Sequence, residues 1–353
     1  MTIKAIYIDD EISRPGRDAQ KLRELLISPG ELEIELQYPP KSFVEFRVDF
    51  DLVMIDLDLS TPLENGDVVG YFGTTLASEL RMRNSSAPIV LVTRPNVITG
   101  KMQYLIDSVD IDYIVFKDDI NKDPSGVRAK LISLCDGFRV LSQPQDSNWP
   151  SLIALMTATE EEASLLREAA PPVEKGVWNV SQISRWIRNS IIEFPGILYD
   201  DLTTATRLGV SLASFNQPQV LGLFDDVQYR GVFSSLKKRW WRGRVFYKAQ
   251  QLMLRHNMPG SIPEKFRLAF QAEYGQELEP AICIYDGKPT ADWVCYILNQ
   301  PVKQRNSIPY YPDRRPSVMD QARVSYKAIQ ESDSFDETLV DAQGSEIVKS
   351  LWK

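Results

Sequence analysis

Residues 51–60 read DLVMIDLDLS, and this stretch decides the fold of the N-terminal part of the chain. Its continuous apolar run is typical of a strand that is buried on both faces of a sheet. Similar runs occur at 3–8, 88–93 and 112–116, and the alternating stretch EIELQ at 33–37 is a candidate second strand. Helical spacing of apolar residues fills the intervals, at 16–28, 72–84, 99–109 and 125–142. This alternation predicts a doubly wound parallel sheet with helices on both faces.

Polar side chains stand where four of these strands end. They are Asp9 and Asp10 after the first strand, Asp56 at the end of the third, Thr93 at the end of the fourth and Lys117 after the fifth. Because ligands bind at the carboxyl ends of parallel strands, we expect these five residues to converge at one edge. A hard divalent cation such as Mg²⁺ offsets the repulsion between close carboxylates. A carboxylate beside Mg²⁺ and a lysine can attack a phosphorus centre.

Four motifs together resemble the receiver domain of two-component response regulators, over residues 1 to about 143. They are IDDE at 8–11, LVMIDLDLS at 52–60, LVTRP at 91–95 and DYIVFKDD at 112–119. The resemblance implies a five-stranded, flavodoxin-like α/β fold, Mg²⁺ as cofactor and a histidine kinase as partner. It also allows a homodimer through the receiver. The only catalysis it implies is the receiver's own phosphorylation and dephosphorylation.

The resemblance also implies a role for each strand-end residue. Asp9 and Asp10 hold Mg²⁺ together with Asp56, which accepts the phosphoryl group. Thr93 is the switch hydroxyl and Lys117 the lysine that contact this group. For the aromatic switch the nearest candidate is Tyr113, which lies one residue further from the lysine than is usual.

The chain departs from the family pattern at three places. Arg94 stands where a small residue usually follows the threonine, and Asp118 replaces the proline that usually follows the lysine. The loop STPLENGDVVGYFG at 60–73 is longer than usual, and its Gly66 is the candidate turn glycine. Asp58, two residues beyond Asp56, is a rival phosphoryl acceptor.

Composition limits the remaining function classes. The chain has 353 residues, 40 Lys+Arg, 48 Asp+Glu, three Cys and a single histidine, His256. About two domains fit this length, and one histidine excludes multi-histidine metal sites. A phosphoryl donor is therefore expected to be another protein. Acidic residues near the N-terminus, the absence of long apolar runs and the few cysteines predict a cytoplasmic protein without a membrane span.

Beyond the receiver we predict a linker at 144–150, an α-helical output module at 151–260 and a mixed α+β extension at 261–353. Predicted helices lie at 151–168, 179–194, 198–209, 217–232 and 233–256, the second starting at Ser181. No enzyme motif is recognised in this part, so the protein is not expected to be an enzyme with an external substrate.

Residues 227–262 contain eight basic residues and no acidic one, and we call these eight the basic stripe. Its centre reads KKRWWRGRVFYK at 237–248. Interleaved basic and aromatic residues suit a nucleic-acid backbone with base stacking, whereas an amphipathic helix that docks on protein fits the same pattern. The candidate contact residues are Lys237, Lys238, Arg239, Trp240, Trp241, Arg242, Arg244 and Lys248.

Three functions therefore remain open on the sequence alone. The first is a response regulator whose output is a protein–protein interaction of the C-terminal module. The second is a nucleic-acid-binding regulator that uses the basic stripe. The third is a pseudo-receiver scaffold in a stress or defence pathway that never carries phosphate.

Overall fold

A computed structural model describes residues 2–12, 18–43, 49–63, 66–83, 86–95, 110–143, 146–175, 178–312, 316 and 318–352. The chain divides into two compact units. The first comprises Met1–Leu155 and Pro172–Ile187, and the second comprises Met156–Pro171 and Arg188–Lys353. Among the described residues, no helix has the length and hydrophobicity that crossing a bilayer requires.

The first unit is built on one five-stranded sheet. Its strands are β1 (Ile3–Ile8), β2 (Leu32–Gln37), β3 (Leu52–Asp56), β4 (Ile89–Thr93) and β5 (Tyr113–Phe116). They pair in the order β2-β1-β3-β4-β5, and every pairing is parallel. This is the flavodoxin-like order. Every residue of β3 and β4 is buried, as their continuous apolar runs predicted, and the predicted α/β fold is confirmed.

Six helices of the first unit lie within the described residues. They are α1 (Asp18–Leu26), α2 (Gly73–Met82), α3 (Lys117–Lys122), α4 (Pro124–Leu141), α5 (Trp149–Leu155) and α7 (Val180–Arg185). The sequence did not predict α3, which starts directly where β5 ends. The helix predicted at 99–109 lies outside the described residues.

Helix α7 packs with the first unit, although the predicted receiver boundary lay near residue 143. The Trp178 indole Nε1 donates to the carbonyl of Leu141 at 2.9 Å, and the Ser181 hydroxyl donates to Asp112 at 3.3 Å. Asn179, not Ser181, caps α7 by accepting from the Gln182 amide at 3.0 Å. The helix continues directly into a π-helical segment, Trp186–Ile192.

The second unit combines short helices with small sheets. Its helices are α6 (Glu160–Glu168), α8 (Asp201–Leu208), α9 (Leu212–Phe215), α10 (Pro218–Phe224), α11 (Arg242–Arg255), α12 (Ile262–Tyr274), α13 (Tyr326–Glu331) and α14 (Ala342–Leu351). Its strands are β6 (Leu198–Tyr199), β7 (Trp240–Trp241), β8 (Trp293–Cys295), β9 (Gln300–Val302), β10 (Ser307–Pro309) and β11 (Arg323–Ser325). The last four form a sheet in the order β10-β11-β8-β9.

Three predicted helices are clearly shorter in the structure. The one predicted at 217–232 ends as an α-helix at Phe224 and is followed by a 3-10 turn, Asp225–Val227. The one predicted at 151–168 is interrupted between α5 and α6, where Thr157 takes a φ of 56°. The one predicted at 233–256 begins only at Arg242, because Trp240 and Trp241 pair antiparallel with β6 instead. Both tryptophan rings are buried, and that of Trp240 belongs to the main apolar core of this unit.

Candidate functional site

Three carboxylates form a compact buried cluster at the carboxyl end of the first sheet. Asp9 and Asp10 directly follow β1, and Asp56 is the last residue of the neighbouring strand β3. One carboxylate oxygen of each lies within 4.8 Å of the others, and the residues are only 2%, 3% and 8% exposed. The pairing of β1 with β3 in register brings them together, as the strand-end argument predicted.

Lys117 and Thr93 stand at the same edge of the sheet. The Lys117 Nζ lies 2.8 Å from Asp56 Oδ2 and 3.8 Å from Asp9 Oδ2. Thr93 ends β4 beside the last residue of β5 and is 2% exposed. Among the residues that the structure describes, its hydroxyl makes only a long contact, 3.4 Å, with the carbonyl of Arg94. The predicted acids, hydroxyl and lysine therefore share one edge.

Further groups orient the acidic pair and were not singled out from the sequence. The Tyr7 hydroxyl donates to Asp9 Oδ2 at 2.9 Å, and the Glu11 amide donates to Asp9 Oδ1 at 2.7 Å. The Thr61 amide donates to Asp10 Oδ2 at 2.5 Å. Tyr7 could have been found, because residues two apart on a strand lie on the same face.

Burial and mutual repulsion disfavour the charged forms of these acids. Burial raises the pKa of Asp10 to about 6, with a further contribution from Asp9. Burial also raises the pKa of Asp56; Lys117 opposes this rise, and Asp9 and Asp10 add to it. Burial alone would lower the pKa of Lys117, but Asp56 and Asp9 hold it above its ordinary value. One ammonium thus faces three carboxylates, which leaves the cluster short of positive charge.

The donor set fits a hard divalent cation. Asp10 Oδ1 is buried and has no hydrogen-bond partner among the described residues. Buried polar atoms are normally satisfied, so an unpartnered carboxylate oxygen inside an acidic cluster is a suitable ligand for such a cation. Asp9, Asp10 and Asp56 are the residues that would hold Mg²⁺.

Gly73 fixes the position of the Asp56 backbone. A Cβ at this position would lie 2.1 Å from the Asp56 carbonyl oxygen. The Gly73 amide donates to the carbonyl of Leu57 at 3.0 Å, so the start of α2 lies directly against the end of β3. In the preceding loop, Gly66 has a φ of +81°, as the turn prediction requires.

Three other residues that the sequence singled out do not belong to the cluster. Tyr113 begins β5 and pairs with Val90, at the opposite end of the strand from Lys117. Asp58 is exposed and accepts from the amide and hydroxyl of Ser60 at 3.1 and 2.5 Å. Arg94 forms an ion pair with Asp18 at the start of α1.

The Arg94–Asp18 pair lines a cleft next to the cluster. The cleft has a volume of about 320 Å³, and Lys117 and Asn121 also line it. Lys117, which also contacts Asp56, is the residue that this cleft shares with the cluster. A guanidinium that the family pattern lacks therefore lines a cleft beside this lysine.

Each basic side chain of the stripe has an acidic partner within the second unit. The pairs are Arg230–Asp225, Lys237–Glu193, Lys238–Asp201, Arg239–Asp200, Arg242–Asp320, Arg244–Glu162, Lys248–Asp226 and Arg255–Glu273. Trp240 and Trp241 are 1% and 0% exposed, so neither ring can stack on a base in this structure. The stripe is therefore neutralised by acids that lie elsewhere in the sequence.

Comparisons with known proteins give structural matches only. No family model matches the chain, and no curated protein matches it. A CheY-like receiver domain protein from Methanospirillum hungatei is 15% identical, with a TM-score of 0.28, over 39% of this chain and 98% of that one. The RcsB response regulator of Salmonella typhimurium is 16% identical, with a TM-score of 0.30, over 54% and 92%. The five-stranded parallel sheet of the first unit fits a receiver fold by its own strand order.

Proposed function

We propose that the first unit is a receiver that accepts a phosphoryl group on Asp56 from a separate histidine kinase. The observation that carries this proposal is the contact of Lys117 Nζ with Asp56 Oδ2 at 2.8 Å inside the three-carboxylate cluster. In that arrangement one carboxylate is held beside a fixed ammonium and two further acids, as phosphoryl transfer to a carboxylate requires. The single histidine of the chain lies in the second unit, at the C-terminus of α11.

Each residue of the site has a separate role in the phosphoryl transfer. A carboxylate oxygen of Asp56 attacks the phosphorus, and the P–N bond of the donor phosphohistidine breaks with its electron pair left on the imidazole. Lys117 neutralises charge on the transferred oxygens, and the Thr93 hydroxyl is free to rotate and donate to one of them. Mg²⁺, held by Asp9 and Asp10, would neutralise further charge on the same oxygens.

The added charge is the signal in this proposal. A phosphoryl group brings about two negative charges to an edge where Asp56 is already crowded by acids. Lys117 and Thr93 are the groups that can move with the phosphoryl group. Such a movement can shift the equilibrium between two conformations of the protein. We propose that the output is a protein–protein interaction of the second unit, since its basic stripe is already paired and its central tryptophans are buried.

Beryllofluoride, a mimic of the phosphoryl group, tests the proposal. In the full chain we expect beryllofluoride to bind only with Mg²⁺, as a saturable heat in calorimetric titration and a bound fluorine NMR signal. Asp56→Asn should abolish this binding. Asp58→Asn is the matched control and should leave it unchanged, because Asp58 lies outside the cluster.

Four outcomes would contradict the proposal. Binding without Mg²⁺, or binding that survives Asp56→Asn, would mean that the cluster is not the acceptor site. Absence of binding by the wild-type chain would favour a pseudo-receiver that never carries phosphate. A kinase-dependent, acid-stable phosphate would also contradict it, because acyl phosphates are labile.

A further inference from the structure

The second unit contains a cavity that the receiver proposal does not use. It lies between α8, β8 and the residues leading into β11, and has a volume of about 230 Å³. Phe194, Pro195, Val294 and Ala322 supply apolar surface, while Thr206 and Arg207 on α8 supply polar groups. We call it the α8–β8 cavity. Its size lies at the small end for ligand pockets, so it suits a compact molecule.

A buried hydroxyl without a partner lines this cavity. Thr206 is 0% exposed, and its Oγ1 makes no hydrogen bond among the described residues. Thr204, two residues earlier on the same helix and equally buried, donates to the carbonyl of Asp200 at 2.7 Å. The hydroxyl of a helical threonine can donate to a backbone carbonyl in the preceding turn, as that of Thr204 does. The hydroxyl of Thr206 makes no such bond. An unpartnered hydroxyl on a residue that lines a cavity is a candidate hydrogen-bond partner for a ligand that enters it.

Two guanidinium groups converge on the same cavity. Arg207 lies over the Trp293 ring with its Cζ 3.7 Å from the ring centroid, and the Cζ of Arg323 lies 5.7 Å from it. Within the described part of the chain, the one hydrogen bond of Arg207 runs from Nη2 to Asp320 at 2.6 Å. Its Nε and Nη1 donors therefore remain available.

The local charge balance is positive. Asp320 pairs with both Arg207 and Arg242, at 2.6 and 3.0 Å, and Arg323, which also lines the cavity, forms no ion pair among the described residues. The other two acids that line the cavity have basic partners of their own. These pairs are Glu193–Lys237 and Asp200–Arg239. An anion would balance the remaining charge.

We propose that the α8–β8 cavity binds a small organic anion, with a carboxylate or phosphate group on a flat apolar body. The anionic group would accept from Arg207 and Thr206, and the body would lie against Phe194 and Val294. This proposal does not depend on phosphorylation of the first unit. It gives the second unit a ligand of its own.

Calorimetric titration of the full chain tests the anion requirement with two matched pairs of probes. Benzoate and adenosine monophosphate carry the anion, and benzamide and adenosine are their neutral counterparts. At least one anion should bind, and its neutral counterpart should bind about tenfold more weakly or not at all. Whichever pair shows this difference identifies the source as an aromatic acid or a nucleotide. If neither anion binds at about 5 mM, or if the neutral partner binds equally well, the proposal is wrong.

Substitutions on α8 then locate the bound anion. Thr206→Val should weaken binding roughly fivefold while the melting temperature stays the same or rises, because no hydrogen bond is lost. Thr204→Val is the control: it should lower the melting temperature without changing affinity. Arg207→Gln should weaken binding at least tenfold. If Thr206→Val and Arg207→Gln both leave affinity unchanged, the anion binds elsewhere and the proposal fails.

Discussion

Replacing Asp10 by asparagine should stabilise the first unit when no divalent cation is present. Asn would keep an oxygen for the Thr61 amide, which donates to Asp10 Oδ2 at 2.5 Å. Its amide nitrogen would take the place of Oδ1, the buried oxygen that has no partner. That nitrogen can donate to the neighbouring carboxylates of Asp9 and Asp56, whose ligand atoms lie within 4.8 Å. A repulsive charge is thereby exchanged for a hydrogen-bond donor.

The size of the gain follows from the pKa of Asp10. Burial raises this pKa from its ordinary value of 3.8 to about 6, so the ionised form is disfavoured in the folded state. The penalty is absent below about pH 4, grows between pH 4 and pH 6, and is complete above pH 6. At about 1.4 kcal/mol per pH unit it amounts to roughly 3 kcal/mol. Asp10→Asn should therefore raise the free energy of unfolding by about 2–3 kcal/mol near pH 8 and by nothing near pH 4.

Scanning calorimetry of the full chain in EDTA measures this effect. The transition that responds to Mg²⁺ is assigned to the first unit, and Asp10→Asn should raise its midpoint by about 6 °C near pH 8. Mg²⁺ should then stabilise the wild type but not the variant. Asp58→Asn is the control and should change neither quantity. If Asp10→Asn is equally or less stable near pH 8 without metal, the assigned repulsion is absent and the reasoning is refuted.

Three further predictions concern packing, ion pairs and metal binding. Gly73→Ala should lower the free energy of unfolding by about 2 kcal/mol, because the added Cβ would lie 2.1 Å from the Asp56 carbonyl oxygen; an unchanged urea midpoint would contradict this close approach. Arg244→Ala should lower the free energy of unfolding by about 3 kcal/mol, because it leaves the buried Glu162 without its ion-pair partner. Arg230→Ala, which removes an exposed ion pair, should lower it by less than about 1 kcal/mol. Equal urea midpoints for the two variants would count against the burial argument. Affinity for Mg²⁺ should fall about tenfold per pH unit below about pH 6, because protons compete for the ligand carboxylates; calorimetric titrations that give the same affinity at pH 5 and pH 8 would argue against metal binding there.

The sheet and its acidic edge could be predicted because both follow from local patterns. Four of the five strands of the first sheet, all but β2, are apolar runs, and the acids and lysine stand at the ends of those runs or directly after them. The parallel order then places those ends at one edge without further information. The aromatic-switch role of Tyr113 was predicted only from its distance in sequence to Lys117. The register of β5 on β4 places Tyr113 beside Val90 instead.

The second unit was harder because its elements depend on contacts between distant residues. Residues 237–248 have the apolar spacing of an amphipathic helix, yet two of them join β6 as a strand, which local periodicity cannot reveal. Glu162 belongs to the acidic run Glu160–Glu162, yet it is only 8% exposed. It forms a capping box with Thr159 and an ion pair with Arg244. Neither partnership is visible in the spacing of charges along the chain.

The chain passes from the first unit to the second, back to the first and again to the second. This limits where the protein can be cut into independent parts. The backbone leaves the first unit after Leu155, returns at Pro172 and leaves again after Ile187. A fragment that ends near residue 143 would lack α7 and, with it, the contacts of Trp178 and Ser181 with Leu141 and Asp112. A single recombination junction therefore cannot transplant the first unit intact onto another output. Modular exchange would need three junctions, and the two units are accordingly expected to be inherited as one piece.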